Sequence, residues 1–148
     1  MDDAQRSARG MGVRREVLGD SHVDRAVAGT TPFTADFQDF ITRYAWGEIW
    51  SRGGLSRAER SMITLTALVV LRQEEELGMH IRAALRNGLA PEQISEVLLH
   101  TAVYAGVPAA NRAFAVANRV LGEDGHGPVT EEPGRRPSGG SRGVAPPG

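Results

Sequence analysis

Apolar residues along this chain recur at helical intervals, and the alternation that marks half-buried strands is nearly absent. Phe37, Phe40, Ile41 and Tyr44 form one apolar stripe, starting after Pro32 and stopping at Gly53 and Gly54. Ser56-Arg57-Ala58-Glu59 has the form of a capping box, in which hydroxyl and carboxylate satisfy reciprocal backbone N–H groups. The helix it opens runs to about Leu71 and is apolar nearly all round, which predicts a buried central helix. A further helix covers residues 73–87 and stops at Gly88. Its core stripe, at about 100° per residue, is Leu77, Ile81, Ala84 and Leu85. Pro91 suits a first helical position, and Glu92 follows it near the positive end of the dipole. That helix buries Ile94, Val97, Leu98 and Thr101 and ends at Gly106, after which Pro108 starts the last one. About six helices with tight connections predict an all-α fold, a compact bundle over residues 10–122.

Composition sets the limits of this domain. The segment 123–148 holds seven of the 18 glycines and five of the eight prolines. It has too few apolar residues to offset the entropy of ordering, which predicts a disordered tail. A hydrophobic content of 41% and a net charge of −1 fit an ordinary globule and leave no footprint for nucleic acid or an anionic membrane. The longest apolar stretch, residues 62–71, is far too short to span a bilayer. Met1-Asp2-Asp3 lacks the basic flank and apolar run of a secretory signal, so a cytoplasmic location is expected. There is no cysteine, and all 17 basic residues are arginine. Thiol redox chemistry, disulfides, lysine Schiff bases and lysine-anchored pyridoxal phosphate are thereby excluded. An enzyme built from this inventory works by acid–base and electrostatic means, with arginines to hold anions.

The candidate chemistry centres on residues 73–87. His80 lies at the edge of the core stripe, and Glu76 stands one turn before it on the same side, whereas Glu75, Arg82 and Arg86 point the other way. A carboxylate so placed holds the imidazole tautomer and raises its pKa above about 6.5; the same spacing also serves as a plain helix-stabilising pair. Metal ligation is not indicated, because Leu77 and Val97 stand three residues before His80 and His100, where a di-iron bundle needs glutamate. His100 reads as a packed or interface histidine. Glu48 follows Tyr44 by one turn and so continues the apolar stripe. A buried carboxylate there needs an arginine partner, and it either ties two helices or acts as an acid of raised pKa. The arginine-rich stretch 13–25, taken by its composition, is a solvated helix and turn.

Several segments together resemble a known family. Val13-Arg14-Arg15, His22-Val23-Asp24-Arg25 and Phe37-Gln38-Asp39-Phe40-Ile41-Thr42-Arg43-Tyr44-Ala45-Trp46-Gly47-Glu48-Ile49-Trp50 are similar to the carboxymuconolactone decarboxylase family. So are Glu75-Glu76-Leu77-Gly78-Met79-His80-Ile81-Arg82-Ala83-Ala84 and Tyr104-Ala105-Gly106-Val107-Pro108-Ala109-Ala110-Asn111. The likeness covers about residues 11–122 and implies an AhpD-like helical fold. The thiol-peroxidase branch of that superfamily needs a Cys-x-x-Cys upstream of the histidine; Gln73 and Glu76 stand there, so that activity is excluded.

The resemblance implies cofactor-free decarboxylation of γ-carboxymuconolactone to β-ketoadipate enol-lactone, in the protocatechuate branch of aromatic catabolism. It further implies His80 as proton donor or enolate hydrogen-bond donor, oriented by Glu76. Arg15, Arg25 and Arg43 become candidates to grip the acetate carboxylate, with His22 assisting and Glu48 nearby. Trp46 or Tyr104 would line a less polar place for the carboxylate that departs. The family also implies a homo-oligomeric ring, a homotrimer or homohexamer. Two alternatives stand beside this reading: a related lactone decarboxylase or isomerase, and a non-catalytic oligomer that binds a small acid.

Overall fold

The computed structural model describes residues 1–125, among which every regular element is helical. Coiling starts at Asp3, ahead of the expected boundary at residue 10. The Asp2 carboxylate accepts the Gln5 amide there, and the Gln5 side chain accepts the Asp2 amide. The elements are α1 (Asp3–Leu18), α2 (Asp20–Ala28), α3 (Ala35–Ile41) running on into a π-helical stretch (Thr42–Ile49), α4 (Arg57–Val70), α5 (Glu74–Arg86), α6 (Pro91–Ala105) and α7 (Val107–Glu123). The predicted starts at Ser56 and Pro91 both hold, and Gly88 and Gly106 follow helix ends with φ of 97° and 92°. The expected tail falls, from His126 onward, outside the described residues. No described helix is long and apolar enough to cross a membrane.

Two cores share α5. The larger packs α4, α5, α6 and α7 around Leu65, Leu77, Ile81, Ile94, Leu98 and Val120. The smaller packs α1, α2 and the π-helical stretch through Val13, Val17, Leu18, Val23 and Trp46 against Ala83 and Met79 of α5. Helix α4 is not the all-round buried centre that its composition predicts. Leu65 and Val69 are buried, but Ile63 and Val70 are more than half exposed, so only one face meets the bundle.

The Phe37, Phe40, Tyr44 stripe is also reversed. These rings are exposed, and Thr42, Trp46 and Gly47 are buried in their place. The reason lies in how α1 crosses the π-helical stretch. A Cβ on Gly10 would overlap the Thr42 carbonyl oxygen and lie 2.9 Å from the Gly47 amide nitrogen. A Cβ on Gly47 would overlap the Arg6 carbonyl oxygen and lie 3.1 Å from Arg6 Cγ. The two backbones touch, so the small residues must face α1 and the aromatic ones face outward. Within the wide turns, Thr42 Oγ1 donates to the Gln38 carbonyl at 2.7 Å and Ser51 Oγ to the Gly47 carbonyl at 2.7 Å.

This crossing makes Gly10→Ala costly. We expect a loss of more than about 2 kcal/mol from overpacking against backbone that cannot yield. Gly12, on the same helix, has nothing within 4 Å of its would-be Cβ. Gly12→Ala should stabilise by about 0.5–1 kcal/mol through helix propensity. Urea midpoints of the two variants should move in opposite directions; a shared direction would contradict the crossing.

Candidate active site

Helix α5 turns its core residues to one side and Met79 and Ala83 to the other, and His80 occupies the strip between the two cores. Its ring stacks on Trp50, centroids 6.3 Å apart and planes 20° apart. Trp50 in turn stacks on Trp46 at 5.4 Å. His80 Nδ1 is buried with no hydrogen-bond partner among the described residues. Burial first, and then the neighbouring His22, lower the His80 pKa from its ordinary 6.5 to about 4. The imidazole is therefore neutral at pH 7. That overturns the expected upward shift. Glu76 is exposed, and its charge acts on His22 instead.

His22 projects from α2 and is half-buried. Burial lowers its pKa most, the charges of Arg25, Arg14 and Arg86 lower it further, and Glu76 opposes them. Three cations and one carboxylate thus act on His22, and His22 in turn acts on His80. Arg86 does not point away from this site as its helical position predicts. Its guanidinium lies over Gly19, where a Cβ would stand 2.9 Å from Nη2, and Gly19 holds φ of 86° at the α1–α2 junction. Arg14 is only 5% exposed and shares the inner face of α1 with Gly10, Val13, Val17 and Leu18. It donates from Nη1 to Thr42 Oγ1 at 3.4 Å and from Nη2 to Gln38 Oε1 at 3.1 Å, while Nε has no partner among the described residues. Burial lowers its pKa.

His22 thus feels Glu76 and Arg25 and acts on His80, and Trp46 reaches His80 through Trp50. Arg15 is engaged elsewhere, with Asp20 at 3.1 Å and Asp24 at 2.8 Å, hydrogen bonds that raise its pKa. Arg43 pairs with Asp39 at 2.8 Å. With Glu48 and Arg6 it lines a separate cleft of about 280 Å³ on the outer side of the π-helical stretch. Glu48 is part-exposed rather than buried, and its arginine partners are Arg6 at 3.5 Å and Arg52 at 3.8 Å. Tyr104 is 79% exposed and stacks on His100 at 5.7 Å on α6. The grooves of about 620 and 550 Å³ along α4 and α6 include His100 but none of the residues around His80. Among the described residues no group of three His, Asp or Glu could hold a metal ion.

Arg14, Arg86 and Trp50 were not among the expected site residues. For Arg14 a signal existed: it interrupts the helical stripe Gly10, Val13, Val17, Leu18, a position where a solvated arginine does not belong.

The lowered His80 pKa has a consequence for stability. The unfolded chain binds this proton near pH 6.5 and the folded one only near 4, so acid favours unfolding between those values. The contribution is complete above pH 6.5 and lost as pH falls towards 4, on the order of 2–3 kcal/mol. Melting temperatures at pH 7 and 4.5 should fall more steeply for the wild type than for His80→Gln. Equal slopes would mean that the imidazole is not held neutral.

Comparison with known proteins identifies the family. Residues 35–119 match the model of the carboxymuconolactone decarboxylase family. The chain is 46% identical to the 4-carboxymuconolactone decarboxylase of Acinetobacter baylyi over 128 residues, 86% of this chain and 96% of that one. It is 40% identical to the nitrosuccinic acid decarboxylase of Metarhizium robertsii over 114 residues, 77% of this chain and 80% of that one. A 4-carboxymuconolactone decarboxylase sequence from Pseudomonas putida is 52% identical over 48 residues, 32% of this chain and all of that one. By these matches, and by its all-helical architecture, the chain belongs to the carboxymuconolactone decarboxylase family.

Proposed function

We propose that this protein decarboxylates γ-carboxymuconolactone to β-ketoadipate enol-lactone and CO₂ without a cofactor. The observation that carries the reading is the likeness to the Acinetobacter baylyi enzyme over nearly the full length of both chains. The carboxylate leaves the ring carbon γ to the lactone carbonyl, and the bonding pair passes through the conjugated double bond to the carbonyl oxygen. The dienolate is then protonated at the α-carbon. Because the substrate holds its own electron sink, the protein has only to bind two carboxylates, stabilise the oxyanion and deliver a proton.

The site suits those tasks. A neutral His80 donates one ring N–H to the developing enolate oxygen, and its buried place beside Trp50 strengthens that bond. The surrounding cations supply the field for a dianion, Arg25 and Arg86 among them. A bound dianion offsets their repulsion and favours a proton on His22, the more open imidazole, which passes it to the α-carbon. The departing carboxylate lies toward the Trp50 ring, a face less polar than the arginine-rich side of His22.

The nitrosuccinic acid decarboxylase favours a broader substrate class. Nitrosuccinate and the lactone share one skeleton, a succinate whose carboxylate-losing carbon carries an electron sink. In the nitro acid the bonding pair would enter the nitro group as a nitronate. We therefore expect slow turnover of nitrosuccinate beside the lactone.

Self-association belongs to the same reading. Phe33 is 96% exposed, and Val103, Tyr104 and Val107 are each more than 70% exposed, apolar side chains that a second copy would cover. They support self-association, and the form expected is a homotrimer or homohexamer.

A coupled assay tests the activity: protocatechuate dioxygenase and the cycloisomerase generate the lactone in situ, chelator is present, and CO₂ and enol-lactone are followed. Prompt turnover is expected; a rate equal to the spontaneous one sinks the proposal. His80→Gln should lose roughly 10²–10⁴ in kcat. The pH profile separates the two histidines. A neutral His80 and a protonated His22 make kcat/KM bell-shaped: it falls towards pH 4 as His80 gains a proton, and falls on the alkaline side above the lowered His22 pKa. In His22→Gln the alkaline fall should disappear; an alkaline fall that persists in this variant would mean that another group donates the proton.

A further inference from the structure

We propose that Arg14 is the anchor for the carboxylate that the substrate keeps, held ready for it by Gln38 and Thr42. The inference rests on the dicarboxylate reading above and adds a residue to it. A guanidinium 5% exposed is rarely left without a counter-ion, because burial disfavours its charge. Every other arginine that approaches a carboxylate here does so near the surface; Arg14, the most deeply buried, has none among the described residues.

Its two fixed contacts are to neutral groups, the Gln38 amide oxygen at 3.1 Å and the Thr42 hydroxyl at 3.4 Å. They orient the fork without neutralising it. Of the five N–H donors of a guanidinium, these bonds use one on each Nη. The Nε hydrogen, buried without a partner among the described residues, and one hydrogen on each Nη remain, and the Nε–Nη2 side of a guanidinium carries two parallel N–H groups. That edge matches the two oxygens of a carboxylate.

The charge is placed where it is felt. Arg14 shares the inner face of α1 with Val13 and Val17. These pack in the smaller core with Trp46 and with Met79 and Ala83 of the His80 helix, and the Arg14 charge is felt at His22. Helix α1 is fixed against the π-helical stretch by the Gly10–Gly47 crossing, which keeps Arg14, Gln38 and Thr42 in register. A merely structural tie between the same elements would do better with a carboxylate at position 38, or with an apolar residue at 14. Pairing with the retained carboxylate also makes sense of the reaction, since a tight grip on the leaving one would stabilise the ground state.

Succinate, which has the shared skeleton and no electron sink, tests the anchor apart from turnover. Succinate should raise the melting temperature of the wild type and should inhibit competitively. Arg14→Gln should abolish that rise and lift KM roughly 10²-fold, with a smaller change in kcat. Without ligand its melting temperature should equal or exceed that of the wild type, because a lone buried charge is gone. Gln38→Glu supplies an internal carboxylate to Arg14 and should likewise raise the unliganded melting temperature while weakening succinate. Should Arg14→Gln fail to fold, Gln38→Glu decides. A folded variant of either kind that keeps the wild-type succinate shift and KM overturns the proposal, as does a wild type that succinate does not stabilise. If succinate binds through Arg14 but the lactone is not turned over, the anchor stands and the decarboxylase reading falls.

Discussion

Helix α1 and the π-helical stretch meet through their backbones at Gly10 and Gly47, and the rest of the candidate site depends on that contact. With no side chains between them, the two elements have little freedom to slide. The approach brings the Arg14 guanidinium to Gln38 and Thr42, and it carries Trp46 and Trp50 to the side of α5 that bears His80. The widened helical turns serve the same end. They let Thr42 and Gly47 face α1 while Trp46 stays buried in the smaller core.

The electrostatic design follows from where this geometry puts charge. Arginine charges act on a half-buried imidazole, His22, beside the buried His80, and among the described residues Glu76 opposes them. Such a cluster is poorly arranged for the empty protein and well arranged for a small dianion. Both histidines are pushed toward neutrality by burial and by positive neighbours. A proton donor and an oxyanion binder therefore need not be the same residue. Environment separates the roles of His80 and His22, the first sealed against a tryptophan and the second open to exchange.

The α-helical class, the starts of α4 and α6, the end of α5 and the position of His80 on α5 were all legible from periodicity, capping and proline placement. The outward turn of Phe37, Phe40 and Tyr44 was not, because a stripe of aromatic residues says nothing about a neighbour that demands backbone contact. Nor could the i, i+4 spacing of Glu76 and His80 give the sign of the histidine shift. That sign was set by the desolvation of His80, which depends on α1, α2 and Trp50, all distant in sequence. Arg15, Arg43, Glu48 and Tyr104 drew attention by residue type, yet tertiary placement gave them partners of their own. Arg14 shows the reverse: its neighbours in the helical stripe already marked it as an inward-facing cation.

The stack of Trp46, Trp50 and His80 has an optical consequence. The chain has only two tryptophans, and both lie in that stack. The intrinsic fluorescence of the protein therefore originates beside the candidate catalytic imidazole rather than being averaged over the bundle. An indole in contact with an imidazole loses emission when the ring gains a proton. The molecule thus carries its own reporter of the charge on His80, and of anything that binds there and alters it.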